Sequence, residues 1–152
     1  MEAWLNRRCP LLNGVIHADG RVITIRVKYH TARQDLAATQ CRYHLEQTGA
    51  TSIQDILAHG KLQWTKVYAT RETTKTDDAR NLRAYSGCDD WEGTGFVALA
   101  RADSDQLIWI AYFEDSEPFV ALQLTPASVQ AVSEEGNIWS FPIETPEDAT
   151  VQ

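Results

Sequence analysis

The sequence predicts an α+β fold: a mainly antiparallel, strongly twisted sheet, made from an N-terminal hairpin and a C-terminal meander, with two or three helices. Three observations predict it. Residues Arg21 to His30 alternate apolar with polar side chains. Three apolar runs, Phe96–Arg101, Leu107–Glu114 and Phe119–Leu124, follow one another with only short Asp/Ser-rich breaks between them. Between these two regions, residues 32–60 hold helix formers and cap residues. With 152 residues, one domain spanning 1–152 is expected, large enough to bury a core without staples.

The hairpin comes first. Gly14–His17 leads into Asp19-Gly20, a favoured turn pair because both positions tolerate positive φ. In the return strand Ile23, Ile25, Val27 and Tyr29 fall on one face, and Arg26, Lys28 and His30 on the other. Residues 32–48 then read as a helix, with Gly49 as its C-cap and Leu36, Cys41 and Leu45 as a thin apolar stripe. A shorter helix is better marked. Thr51 or Ser52 caps it, Gln54 or Asp55 suits its first turn, Ile53, Ile56 and Leu57 form its buried face, and Gly60 stops it. Leu62 to Arg71 reads as a strand, and the polar run Glu72–Asp78 as a linker.

The three apolar runs read as strands joined by Asp103-Ser104-Asp105 and Asp115-Ser116-Glu117-Pro118, turn chemistry that implies antiparallel neighbours. In the middle run both faces are apolar, which places it centrally, covered on both sides. Val129–Ser133 and Asn137–Ile143 form a last hairpin around Glu134-Glu135-Gly136. Pro142 lacks an N–H and puts that strand at an edge. The Pro-containing acidic tail, 144–152, is expected to fray.

Charge is the strongest functional signal. Residues 1–75 carry eleven Lys/Arg against six Asp/Glu, a balance of +5; residues 76–152 carry three against fifteen, a balance of −12; together they give the net −7. A negative field of this kind attracts a basic partner and repels nucleic acid. No run approaches the ~20 apolar residues of a membrane helix. The N-terminus has no apolar stretch behind Arg7-Arg8, so it does not read as a secretory signal. Cys9, Cys41 and Cys88 are sparse, odd in number and without a CxxC, which fits reduced thiols and a cytoplasmic location.

Motifs for catalysis are weak. The four histidines and three cysteines lack zinc-ligand spacing, and Cys41 with His44 supplies two ligands at most. Cys88 sits in a Gly-flanked segment, but its carboxylate neighbours suppress the thiolate. Asp89-Asp90-Trp91-Glu92-Gly93-Thr94-Gly95 lacks EF-hand spacing and is too short for a P-loop. Arg26, Lys28 and His30, together with Lys61, Lys66 and Arg71, form a basic stripe only if their strands are neighbours.

The expectation is therefore a small acidic cytoplasmic protein, not an enzyme, that binds and blocks a basic partner protein. The physical type is that of immunity proteins and inhibitors, with a toxin such as a nuclease as one such partner. The residues expected to meet it are Asp89, Asp90, Trp91, Glu92, Asp103, Asp105, Glu114, Asp115 and Glu117: carboxylates that steer and select, and an aromatic anchor among them. No cofactor, metal, nucleic acid or membrane enters this reading, and the oligomeric state stays open. Two alternatives stand beside it: a homo-oligomeric assembly subunit pairing through the Asn137–Ile143 edge, and a metal- or thiol-dependent enzyme centred on the Cys88–Gly95 loop.

Overall fold

A computed structural model describes residues 8–32, 40–60 and 63–152. Two antiparallel sheets face one another. The larger contains β1 (Arg8–Pro10), β2 (Gly14–His17), β3 (Arg21–Ala32), β4 (Gln40–Ser52), β5 (Trp64–Asp77), β6 (Leu82–Asp89), β7 (Gly95–Arg101) and β8 (Leu107–Phe113). Their order across the sheet is β1-β5-β6-β7-β8-β2-β3-β4. The smaller sheet contains β9 (Phe119–Leu124), β10 (Ser128–Ser133), β11 (Ile138–Pro142) and β12 (Thr150–Val151), in the order β12-β11-β10-β9. A short helix, α1 (Ile53–His59), follows β4.

The apolar runs explain this arrangement. Alternate residues of the large sheet, among them Val15, Val97, Leu99, Trp109, Ala111 and Phe113, meet Phe119, Leu122, Val129, Trp139 and Phe141 of the small one. Trp139 touches the rings of Phe113, Phe119 and Tyr43. Each fully buried large side chain of this kind contributes roughly 1.5–3 kcal/mol. The opposite face of the large sheet buries Ile16, Val22, Phe96, Ile110 and Tyr112, with Ile53 and Ile56 of α1 packed on them. The middle apolar run, β8, is thus central and covered on both sides, as its composition requires.

The N-terminal hairpin, the cap of α1 and the three apolar strands form where the sequence puts them, but only β7 and β8 are neighbours: β9 crosses to the smaller sheet and pairs with β10, so the expected meander breaks after β8. Gly20 takes φ 93° in the turn, and the Ser52 side chain accepts the Asp55 N–H at 3.1 Å. Other expectations fail. Helix content is overstated: among the described residues α1 is the one α-helix. Residues 40–48 form strand rather than helix, because β4 pairs with β3 from Arg21↔Ser52 to Ala32↔Gln40; pairing overrides propensity. The part of the proposed helix at 33–39 lies outside the described residues. The Glu72–Asp78 linker belongs to β5 through Asp77, its register on β6 shifted between Ala69 and Thr74. Leu57 is exposed rather than buried.

Two corrections affect the surface. β11 is not an edge: it pairs β10 along its length and β12 at Trp139 and Ser140. The 144–152 tail does not fray but is docked. Pro146 and Ala149 are buried, His17 Nε2 lies 2.9 Å from Glu147, and the Gln47 amide donates to the Glu147 carbonyl and the Asp148 carboxylate. The Trp109 indole N–H donates to the Ile143 carbonyl at 2.8 Å, fixing the start of the same segment. Among the described residues no helix is long and apolar enough to cross a membrane.

Candidate functional site: an acidic pole

In an antiparallel array alternate connections lie at the same end. Three of them meet here: the β6–β7 loop (90–94), the β8–β9 connection (114–118) and the β10–β11 turn (134–137). Backbone hydrogen bonds lock them together, Glu117 N–H to the Gly93 carbonyl and Glu134 N–H to the Pro118 carbonyl, each at 2.8 Å. Gly95 permits this closeness, since a Cβ there would lie 2.5 Å from Ser116 Oγ and 2.6 Å from the Glu117 carbonyl oxygen.

The result is a groove of about 450 Å³ lined by Tyr43, Glu92, Gly93, Glu114, Asp115, Glu117 and Glu135, with Glu134 on the adjoining turn. Among the described residues no Lys or Arg forms an ion pair with any of these six carboxylates. The crowding is visible in Glu117. Burial first, then Glu135, Glu134, Glu92 and Asp115, push its carboxyl above the ordinary value. Its backbone also sits at φ 64°, a conformation uncommon for a residue with a side chain. Beside the groove Trp91 is 60% exposed, the most exposed of the large hydrophobic residues described.

Asp89 holds the base of this region and is not itself a surface group, being only 7% exposed. Its Oδ1 accepts the Trp91 N–H at 2.8 Å and the Thr94 hydroxyl; its Oδ2 accepts the hydroxyls of Thr65 at 3.0 Å and Tyr112 at 2.6 Å. Burial and the bond to Asp89 push the Tyr112 phenol up, so it stays a donor. The sequence grouped Asp89 with Asp90, Trp91 and Glu92, but only the last three face solvent. The β-alternation in Leu82–Asp89, which sets the burial of Asp89, is interrupted by Ser86-Gly87 and does not read as a strand.

Asp103 and Asp105 lie at the opposite end and do not join the groove. Their surroundings are mixed in charge. Asp105 accepts the Tyr85 hydroxyl at 2.6 Å, Arg83 feels Asp105 and Asp78, and Arg80 pairs with Asp77 at 2.6 Å. Nor do Arg26 and Lys28 of β3 share a stripe with Lys66 and Arg71 of β5; Lys61 lies outside the described residues. β3 and β5 are separated by β6, β7, β8 and β2, and Lys28 of β3 pairs with Glu46 at 2.9 Å. Tyr43, Gly93 and Glu135 are the groove residues that the expected set omitted, with Glu134 on the adjoining turn; the parity of the connections was the signal for the two glutamates.

Among the described thiols, Cys9 and Cys88 are poorly placed for nucleophilic work. Burial, then Asp89, Asp90 and Glu134, push the Cys88 thiol up, and burial with Asp89 does the same for Cys9. Among the described residues no three of His, Cys, Asp and Glu are gathered in an arrangement that would hold a metal ion. The chemistry this pole offers is attraction of cations, with the exposed Trp91 supplying apolar area beside the carboxylates. No protein-family model, no curated protein and no solved structure matches the chain.

Proposed function

We propose that this protein binds a basic partner protein through its acidic pole and blocks it, in the manner of an inhibitor or immunity protein. One observation carries the reading. Glu92, Glu114, Asp115, Glu117, Glu134 and Glu135 converge from three connections without a paired Lys or Arg among the described residues. Crowding like charges destabilises a fold, so a fold that keeps them has a use for the field. That field speeds the approach of a cationic surface and rejects anionic ones, while the exposed Trp91 offers apolar area beside it. The contact set becomes Asp90, Trp91, Glu92, Glu114, Asp115, Glu117, Glu134 and Glu135. A cationic nucleic-acid-binding surface, such as that of a nuclease, is the complementary partner type.

Affinity capture from the native lysate, eluted in steps of rising salt, tests this. A single basic protein near one-to-one, released by moderate salt and lost when Glu114, Asp115 and Glu117 are changed together to Gln, Asn and Gln, is the expected outcome. Retention that is indifferent to salt and to those substitutions would overturn the reading.

A further inference from the structure

Two features of the β6–β7 connection are unfavourable when considered separately. Asp89 is a buried carboxylate with no Lys, Arg or His hydrogen-bonded to it among the described residues, and such a charge is costly to remove from water. Trp91 is the opposite case, a large indole left mostly in solvent, where its apolar surface gains nothing from burial. The two are directly joined. The Trp91 N–H donates to Asp89 Oδ1, while the Thr94 hydroxyl bonds both that oxygen and the Trp91 carbonyl, the latter at 3.1 Å. The other carboxylate oxygen is anchored to Thr65 of β5 and Tyr112 of β8, so the loop is tied across the sheet to two further strands.

We infer that Asp89 is a positioning residue for binding: its buried carboxylate clamps the 90–94 loop so that Trp91 stands outward beside the acidic groove as a pre-set anchor for an apolar socket on the basic partner. The inference rests on the acidic-pole reading for the identity of that partner, but the clamp itself is a property of the free protein. Its physical logic is preorganisation. A loop already immobilised does not lose that freedom on binding, so the aromatic contact is realised in full in the complex. Fixing a five-residue loop to the sheet needs an acceptor that several donors can reach at once. A carboxylate offers about four acceptor sites, and four donors use them here.

The partner chemistry follows from what surrounds the indole. Asp90 and Glu92 flank Trp91, and Asp90 lies 3.4 Å from the Tyr68 hydroxyl, which donates to it. A complementary surface therefore presents an apolar recess ringed by Lys or Arg, rather than a uniformly charged face.

The test uses the free, full-length protein labelled with ¹⁵N, with relaxation measured for the 90–94 amides and the Trp91 indole N–H; a Trp91→Phe variant assigns the latter. In the wild type these groups are expected at the rigid level of the neighbouring strands, S² about 0.85, and in Asp89→Ala or Thr94→Val below about 0.6, with β7 and β8 unchanged. Thr94→Val keeps the carboxylate and guards against loss of the fold in Asp89→Ala. A loop already mobile in the wild type, or equally rigid in folded variants, would overturn the clamp. Because no partner is present, that failure is distinct from failure of the capture experiment.

Discussion

Replacing Asp89 by Ala removes the acceptor for four donors at a site only 7% exposed. The three hydroxyls can turn, but the Trp91 N–H cannot, and Tyr112 is held by β8. Leaving a buried donor unsatisfied costs roughly 1–3 kcal/mol each, while the carboxylate's own burial penalty is relieved. The net expectation is a loss of about 3 kcal/mol, which for a chain of this size lowers Tm by roughly 6–12 °C. Asp89→Asn behaves differently. Its amide nitrogen at the Oδ2 position can donate to the Thr65 and Tyr112 hydroxyls, while its oxygen at the Oδ1 position still accepts from Trp91 and Thr94. The loss there is about 1–2 kcal/mol, since charge-assisted bonds become neutral ones. Urea unfolding followed by tryptophan fluorescence gives both values. Equal losses for Ala and Asn, or an Ala variant within about 0.5 kcal/mol of wild type, would refute the account of Asp89 as a four-donor acceptor.

Further outcomes can be checked on the same protein. Glu117→Gln is expected to raise Tm near neutral pH. The folded-state value of Glu117 lies above its unfolded value, so the penalty for its charge grows as pH rises through that window and is complete above it. The gain should therefore vanish by about pH 4, where the unfolded carboxyl is also protonated, and a gain independent of pH would argue against charge crowding. Ser86→Ala removes a buried hydroxyl that has no hydrogen-bond partner among the described residues, and is expected to stabilise by up to about 1 kcal/mol in calorimetry. Removing residues 144–152 uncovers the inter-sheet core near Phe141 and Trp109, and should cost roughly 3 kcal/mol with increased dye binding by the native state. Cys88 should alkylate more slowly than a free cysteine at the same pH, as followed by peptide mass spectrometry, with Cys9 slower still.

How far the sequence could be read depended on whether local pattern and long-range pairing agreed. In β7, β8 and β9 they agree, because apolar runs bounded by Asp/Ser turns leave little else to form. At 40–48 they conflict. Gln, Arg, Leu and Glu favour helix, yet Tyr43 and Leu45 alternate with exposed His44 and Glu46, and pairing with β3 decides the outcome. The step from β8 to β9 was also hidden. Its turn chemistry suggests neighbours, whereas the chain there crosses from one sheet to the other. The acidic pole was half legible. Turn parity places Glu92, Glu114, Asp115 and Glu134 at one end, but burial of Asp89 depends on Thr65 and Tyr112, which are distant in sequence and carry no local sign of the contact.

The strand order of the large sheet also governs how the chain reaches its fold. β2 pairs with β3 on one side and β8 on the other, so Val15 finds Ile23 early but must wait for Ala111 to complete its second ladder. At about 5–20 residues per second, a ribosome needs roughly 5–20 s to supply that partner. Meanwhile the β3–β4 ribbon can close alone, leaving β2 with an unfilled hydrogen-bonding edge and Val15 and Ile16 uncovered. Nascent chains of this topology are thus exposed to mispairing for seconds, and rapid completion depends on the late-made strand β8 inserting between β7 and β2.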